Sequence, residues 1–520
     1  MTQSSASTPV LIVGGGPVGL TLAALLGKQG VACLVIEADA GYCVGSRAIC
    51  VSRRSQEIMG WIDADDKLTH KGLPWTGGRS YWRGTEVLHF QMPTEPTQRF
   101  APMLNIQQYY IEEYAHQAAL HTGLVNVQWS TQVKQVTQTA DGATVIIDGP
   151  DGLKTIHADW VVACDGGKST VREQLGLQLQ GTQYEGRYVI VDIVQKTRRA
   201  VERLAWFDPP SNPGSTLLMH RQPDDVWRID YQIRDGEDPL EAIKPENVLP
   251  RVRSHLAMIG EDEPWEMQWI SIYNAKCLSL KSYRHGNVLF AGDAAHLVPI
   301  FGVRGLNSGL DDASNLAWKL ASVVHRRTPA ALLDTYSQER VYAAQINMAY
   351  GAKSTEFMAP PDFAFTLMRE ATLRLAAQTD SISGKGVRSL INPRQSLPIA
   401  FENSVLNATE LGEWTNALAA PGAPAPEALL GQQHLTTHFG KTFVCLVFTA
   451  GSIPADLHMT GVSLLHITPE FEQVWQRYGL PLPESQGMVL VRPDGHVMGR
   501  WRTLGKQFVE AALQPHEITL

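Results

Sequence analysis

Gly14, Gly16 and Gly19 stand at the spacing G-x-G-x-x-G within Gly14-Gly15-Gly16-Pro17-Val18-Gly19, and Glu37 follows Gly19 by 18 residues. Each glycine answers a separate physical demand of a bound pyrophosphate: a tight turn at Gly14, close backbone approach at Gly16, and helix-strand contact at Gly19. A carboxylate at that distance suits ribose hydroxyls, and an acid in place of a base argues against a 2′-phosphate, so FAD or NAD fits better than NADP. A lone glycine triplet is usually just a turn. Here an apolar run at 10–13, a helical pattern over 20–29 stopped by Gly30, and a second apolar run at 32–36 surround it, which favours a dinucleotide site.

Two further turns share this grammar of buried strand, acid and glycine. The run at 158–163 ends in Cys164-Asp165-Gly166, and the run at 288–291 ends in Gly292-Asp293. A Pro/Gly-rich loop over 299–309 then opens a helix whose Ala313, Leu316, Ala317, Leu320 and Val324 share one face. Asp311 and Asp312 near its start and His325, Arg326 and Arg327 at its end suit the helix dipole. The plain alternative is an ordinary strand-loop-helix connection. Arg47, in Ser46-Arg47-Ala48, could reach a pyrophosphate or be a solvated surface arginine. Gln108, at the start of a helical run over 109–120, could aim its amide at a cofactor or be an ordinary helix-start residue.

These residues need strands and helices to carry them. Residues 125–136 and 143–147 read as strands. Beyond 184 the pattern changes, and Val226-Trp227-Arg228-Ile229-Asp230-Tyr231-Gln232-Ile233 alternates with the period of a half-buried strand. An antiparallel sheet inserted between pieces of a discontinuous nucleotide domain follows, with the tryptophans mainly as its core. Helical patterns cover 330–351 and 363–377, a linker 378–414, and a tail after Pro421-Gly422-Ala423-Pro424 carries strands at 442–448 and 488–491 with a turn at 492–496.

Composition narrows the function classes. A chain of 520 residues suggests two or three domains, and 44% hydrophobic with 18% charged residues suits a folded protein. A net charge of −8 without a basic block argues against nucleic acid, and no apolar run approaches the ~18 residues of a membrane span. The start MTQSSASTP lacks a signal-peptide pattern, so the cytoplasm is the expected location. Six cysteines without C-x-x-C predict buried free thiols, and 16 scattered histidines predict no metal site.

The assembled motifs resemble the FAD-dependent aromatic hydroxylases, flavoprotein monooxygenases related to para-hydroxybenzoate hydroxylase, over residues 8 to 375. The resemblance implies an α/β fold: a discontinuous Rossmann-like FAD domain (1–80, 101–185, 275–377) with an inserted, mainly antiparallel substrate sheet (81–100, 186–274). It implies that Gly14, Gly15, Gly16, Pro17, Gly19 and Glu37 hold the ADP half of FAD, with Arg47, Gln108, Val133 and Asp165 beside it. Gly292, Asp293, Pro299, Gly305, Leu306 and Asn307 would meet the flavin half. The tail at 415–520, with P-G-A-P-A-P and V-R-P-D-G-H, resembles the thioredoxin-like domain of longer members, but without C-x-x-C. Two departures stand out: Pro299-Ile300 where many relatives have Pro-Pro, and Gly302-Val303-Arg304-Gly305, which would place a bulky cation beside the flavin.

The chemistry implied is reduction of FAD by NADH or NADPH, reaction with O2 to a flavin C4a-hydroperoxide, and oxygen transfer to a phenolic ring. Backbone N–H groups of Leu306 and Asn307 would stabilise charge on the flavin. Moving a phenol from ~10 to ~7 requires about 4 kcal/mol, more than the ~2 kcal/mol of one helix terminus. A side-chain base or relay is therefore expected, and His220, Tyr231 and Tyr273 are its candidates. The expected partners are a small phenolic substrate and O2, with a homodimer as the assembly. Two other readings of the motifs remain: a flavin reductase or dehydrogenase that inserts no oxygen, and a non-catalytic flavin-bound interaction protein.

Overall fold

Val10, Leu11, Ile12 and Val13 are apolar on both sides of the strand, which therefore must be covered on both faces. In the computed structural model, which describes residues 5–234, 236–378, 382–391, 397–481 and 485–519, strand Ser5–Val13 lies between Cys33–Ile36 and Gly152–Ala163, parallel to both. Val125–Gln128 extends this sheet in parallel on one side and Val288–Phe290 on the other. Helices Pro17–Lys28, Gln108–His121 and Gly305–Val324 pack together and bury its core. Parallel strands end at one edge, so the turns after Val13, Ile36, Ala163 and Phe290 are gathered there. This is the edge at which open α/β sheets bind ligands.

Residues 125–136 do not form one strand. Val125–Gln128 and Gln132–Thr139 are separate, because Ser130 takes the left-handed conformation (φ 51°) and turns the chain. The second strand pairs antiparallel with Gly142–Gly149, which pairs in turn with Gly152–Ala163.

The second large sheet runs His296–Leu297, Trp265–Ser279, Gln180–Gln195, Val226–Gln232, Thr216–Arg221, Arg203–Phe207, Gly77–Trp82 and Thr85–Gln91 in spatial order. Alternation decides its two faces. Val189, Val191, Leu204, Leu217, Met219, Trp227, Ile229 and Tyr231 form a core with Val248, Val252 and Leu256 of helix Pro245–Ile259. Residues of the opposite parity face the nucleotide-binding half of the molecule.

A third sheet, Val462–Ile467, Phe443–Phe448, Gly487–Val491 and Val497–Trp501, occupies the C-terminal region. The stretch read as a linker is structured in part. Ile382–Ile391 is a helix, and the N–H groups of Ala408 and Leu411 donate to Met498 O and Arg500 O of this sheet; residues 379–381 and 392–396 lie outside the described residues. The turn at 492–496 packs against helices Gly305–Val324 and Leu332–Met358 with its charges buried. Arg492 donates to Glu339 (2.7 Å) and Asp494 (2.6 Å), and Lys319 donates to Glu339 (2.8 Å). Trp318 and Asn315 both donate to Asp494 at 3.1 Å, and Arg54 donates to its carbonyl.

All six cysteines are free. Among the described residues no helix is long and apolar enough to cross a membrane.

Candidate active site

Between the edge of the parallel sheet and the antiparallel sheet runs a cleft of about 1020 Å³. The residues named for a dinucleotide line it, with two exceptions. Gly19 lies inside the turn, where a Cβ would stand 2.0 Å from Gly14 O, and Asn307 lies behind the wall. Gly14 has φ 109°, and a Cβ there would meet Cys164 O at 2.3 Å; Gly16 has nothing within 4 Å of its Cβ position and faces the open cleft. Glu37 is held ready, accepting from Gly15 N–H at 2.6 Å and Asp39 N–H at 2.9 Å. Gln108 accepts from Ala48 N–H at 3.2 Å and donates to Glu112 at 2.8 Å, so its amide braces the 45–48 loop from the cleft wall. Arg47 is exposed at the mouth with φ 45°, and Val133 lines the same end.

Asp165 accepts from Val171 N–H at 3.1 Å, and burial raises its carboxyl above the ordinary range. Gly292 is left-handed (φ 60°) and its N–H donates to Asp312 at 2.9 Å. The Asp312 carboxylate also takes His296 Nε2 and Arg340 Nε, each at 2.6 Å, and so ties the Gly292-Asp293 turn to helices Gly305–Val324 and Leu332–Met358. Gly305 and Leu306 present the N-terminus of the first of these helices to the cleft, beside Pro299. Asn307 instead clamps the neighbouring chain. Its side chain accepts from Ser52 N–H at 2.8 Å and donates to Cys50 O at 3.0 Å. Arg304 lines the cleft but is buried and engaged: it donates to Asn347 at 2.7 Å and lies over the Tyr350 ring. Val303, β-branched yet at φ 54°, carries strain at the cleft wall.

The candidate bases separate by strand parity. Tyr231 lies on the far face, packed in the core under helix Pro245–Ile259 with Arg251 over its ring, and is not a cleft residue. Burial pushes its hydroxyl up to about 12. Tyr273 does line the cleft. Its hydroxyl donates to Val298 O at 3.0 Å, and burial, then Asp293, raise its pKa, so it is a hydrogen-bonding phenol and not a free base. His220 faces a small chamber that opens from the cleft; burial and the guanidinium groups of Arg203 and Arg228 hold it well below its ordinary value, hence neutral.

Residues that the sequence reading did not single out for the site complete this face. Asp192 stands opposite Arg228, and Arg228 opposite His220, on three adjacent strands. Arg228 donates to Asp230 at 2.7 Å and to Arg47 O; Asp192 accepts from Ser46 N–H (2.8 Å) and Ser46 Oγ (2.7 Å). The available signal was two charges, Arg228 and Asp230, alternating with Trp227, Ile229 and Tyr231.

Residues 7–349 match the family described as FAD binding domain. The chain belongs to the FAD-dependent aromatic hydroxylases. It is 31% identical over 412 residues to a 3-(3-hydroxy-phenyl)propionate/3-hydroxycinnamic acid hydroxylase of Mycolicibacterium smegmatis, covering 78% of this chain and 70% of that protein. A protein of the same description from Klebsiella pneumoniae is 31% identical over 68% of this chain and 62% of its own length. The flavin-dependent monooxygenase PieE, solved with FAD and substrate, superposes over 98% of both chains with a TM-score of 0.78 at 22% identity, a likeness of fold.

As expected of this hydroxylase family, FAD is the cofactor and NAD(P)H the typical electron donor. The residues present fit FAD. The space at Gly16 admits a pyrophosphate where a methyl group would intrude, and helix Pro17–Lys28 begins there with no side-chain cap and no acid in its first turn. Helix Gly305–Val324 likewise starts without a cap or a first-turn acid, so its N–H groups suit negative charge on the ring system. Bound FAD would supply the redox chemistry of the hydroxylation. The chain supplies position, hydrogen bonds and exclusion of water.

Proposed function

We propose that the chain hydroxylates a phenol lying in the cleft between the 299–303 loop and the cleft face of the antiparallel sheet, with O2 as the oxygen source. The observation that carries this is one continuous cleft with dinucleotide-binding turns at one end and Tyr273, Arg228 and the His220 chamber at the other. The names of the relatives at 31% identity support a hydroxylated phenylpropionate-like ring as the substrate type. Tyr273 orients the ring hydroxyl: while donating to Val298 O, its oxygen can still accept the substrate's hydrogen bond, which turns electron density toward the ring. His220, held neutral, serves binding more readily than proton uptake.

The same reading divides the chain into a discontinuous FAD domain, the inserted substrate sheet, and a C-terminal thioredoxin-like domain. Strand order and senses in the last sheet support that assignment. Cys445 there is buried with its thiol pushed up to about 12, which supports a role without redox exchange. A homodimer is the proposed assembly.

The experiment is turnover under 18O2 with hydroxylated phenylpropionates, benzoates and simple phenols, measuring label in product and hydrogen peroxide. Product carrying 18O is expected; NAD(P)H oxidation that yields peroxide without labelled product for any ring overturns the reading in favour of a reductase. Tyr273→Phe is expected to lower kcat for hydroxylation about tenfold and divert electrons to peroxide, with ligand affinity changed less than about threefold.

A further inference from the structure

A chamber of about 40 Å³ opens from the deep end of the cleft, beside His220 and Phe301. Since ~10–15 Å³ holds a water, the chamber takes a few waters or one small group and leaves an aromatic ring in the main cleft. The two spaces share walls at Ile49, Cys50, Arg228, Ile300 and Val303, which frame the doorway between them.

One residue of this frame stands in a conformation that its type disfavours. Val303 has φ 54°, where a β-branched side chain crowds its own backbone. Glycines flank the Val303-Arg304 pair at Gly302 and Gly305, and Gly302 is itself left-handed with φ 90°. A glycine at 303 would hold the same turn without strain. Neighbours fix the backbone instead. The Val303 N–H donates to Ile300 O at 3.4 Å, and its carbonyl accepts from Asn307 Nδ2 at 2.5 Å. Asn307 is in turn anchored on Cys50 O and Ser52 N–H. What valine adds over glycine is three carbons, packed against the apolar cluster of Ile49, Cys50 and Phe301 and present in the walls of both spaces. Strain held in place by surrounding bonds at a cavity wall points to a use for the side chain that causes it.

We propose that Val303 is the size-selecting residue of the ring site: its isopropyl group narrows the doorway, stops the phenol ring in the main cleft and rejects rings that carry a bulky substituent. The inference rests on the hydroxylase reading for a phenol as the occupant of the cleft, and adds to it the dimensions of the molecule taken.

The test uses the FAD-loaded protein without NAD(P)H and follows the flavin absorption band during titration with uncharged phenols of graded bulk. These are 3-methylphenol, 3-isopropylphenol and 3-tert-butylphenol, with their 4-substituted isomers. In at least one series the wild type is expected to bind the methyl compound about tenfold or more tightly than the tert-butyl compound, although the latter offers more apolar surface. Val303→Gly should lower that ratio about tenfold and Val303→Ala by less. A wild-type ratio near one in both series, or a ratio that neither variant moves, overturns the proposal. Where the glycine variant does not retain FAD, the alanine variant carries the comparison. Thermal melts separate the side chain's size from the turn's backbone. Alanine at this φ stays strained and glycine does not, so Val303→Gly should melt at or above Val303→Ala. A glycine variant that melts below the alanine one would remove the strain on which the proposal stands. Turnover under 18O2 tells the two readings apart. Size selection that responds to Val303 while no ring takes up 18O supports the size limit and ends the hydroxylase reading. Insertion of 18O into 3-tert-butylphenol and 4-tert-butylphenol as efficiently as into their methyl counterparts leaves the hydroxylase reading standing and removes the size limit.

Discussion

Gly14 and Gly16 are neighbours in one turn with opposite surroundings. Gly14→Ala places a methyl group 2.3 Å from Cys164 O at a left-handed φ, so the turn itself must move; the expected result is a marked fall in Tm and in soluble yield. Gly16 sits at φ −76° with open space ahead of it, so Gly16→Ala should fold with the Tm of the FAD-free wild type but retain about tenfold less FAD. The ratio of flavin to protein absorbance, read with thermal melts of both variants, checks the pair. A similar fall in both quantities for both variants would refute the distinction. The glycines and Glu37 were legible in sequence because their demands are local: a turn, an approach, a carboxylate at the end of a strand. Tyr231 and Tyr273 were not separable by such means. Which parity of a strand faces the cleft depends on helix Pro245–Ile259 covering the other, and nothing within either strand reports that.

Among the elements, the helix after the glycine loop starts at Gly305, several residues ahead of its first apolar stripe, because the stripe marks the buried face and not the first turn. Asp312, read from sequence as dipole compensation, is the joint between that helix, the Gly292-Asp293 turn and helix Leu332–Met358. Burial pushes its carboxyl up, but His296 and Arg340 outweigh that and hold it below the ordinary value. A depressed folded-state value gives stability that is present in full above the unfolded carboxyl at about pH 4 and lost as pH falls through the folded value. Asp312→Asn leaves Arg340 buried without its charge partner and should cost about 3–5 kcal/mol at neutral pH. The Tm gap between wild type and this variant should narrow as pH is lowered from about 5 to about 2; a gap constant across that range would show that the carboxylate is not what holds the joint.

At the scale of the molecule, the two large sheets and the four-stranded C-terminal sheet are joined by contacts of different kinds. The two large ones share the cleft, while the C-terminal sheet docks through Arg492, Asp494, Glu339 and Lys319, all buried. Arg492→Met removes one cation from this set and leaves Glu339 and Asp494 facing each other, so a loss of about 3–5 kcal/mol is expected. Because Glu339 belongs to the helix that also carries Arg340, FAD should leave the variant at a lower temperature than it leaves the wild type. Flavin fluorescence during heating checks this, and unchanged flavin release beside a lowered Tm would show that the docking does not reach the cofactor cleft. The strands and the turn of the tail were visible in sequence. Its docking was not, because Arg492-Pro493-Asp494 reads as an exposed turn until its partners, more than a hundred residues earlier, are placed beside it.

That junction also sets an order of events during synthesis. Arg54, Lys319 and Glu339 leave the ribosome well before Arg492 and Asp494, so the nascent chain carries a patch of incompletely matched charge until those two residues emerge. The nucleotide motifs made first are therefore sealed by residues made long after them, and a polypeptide cut short before Arg492 would keep those motifs intact while presenting to chaperones the surface that the docked turn hides.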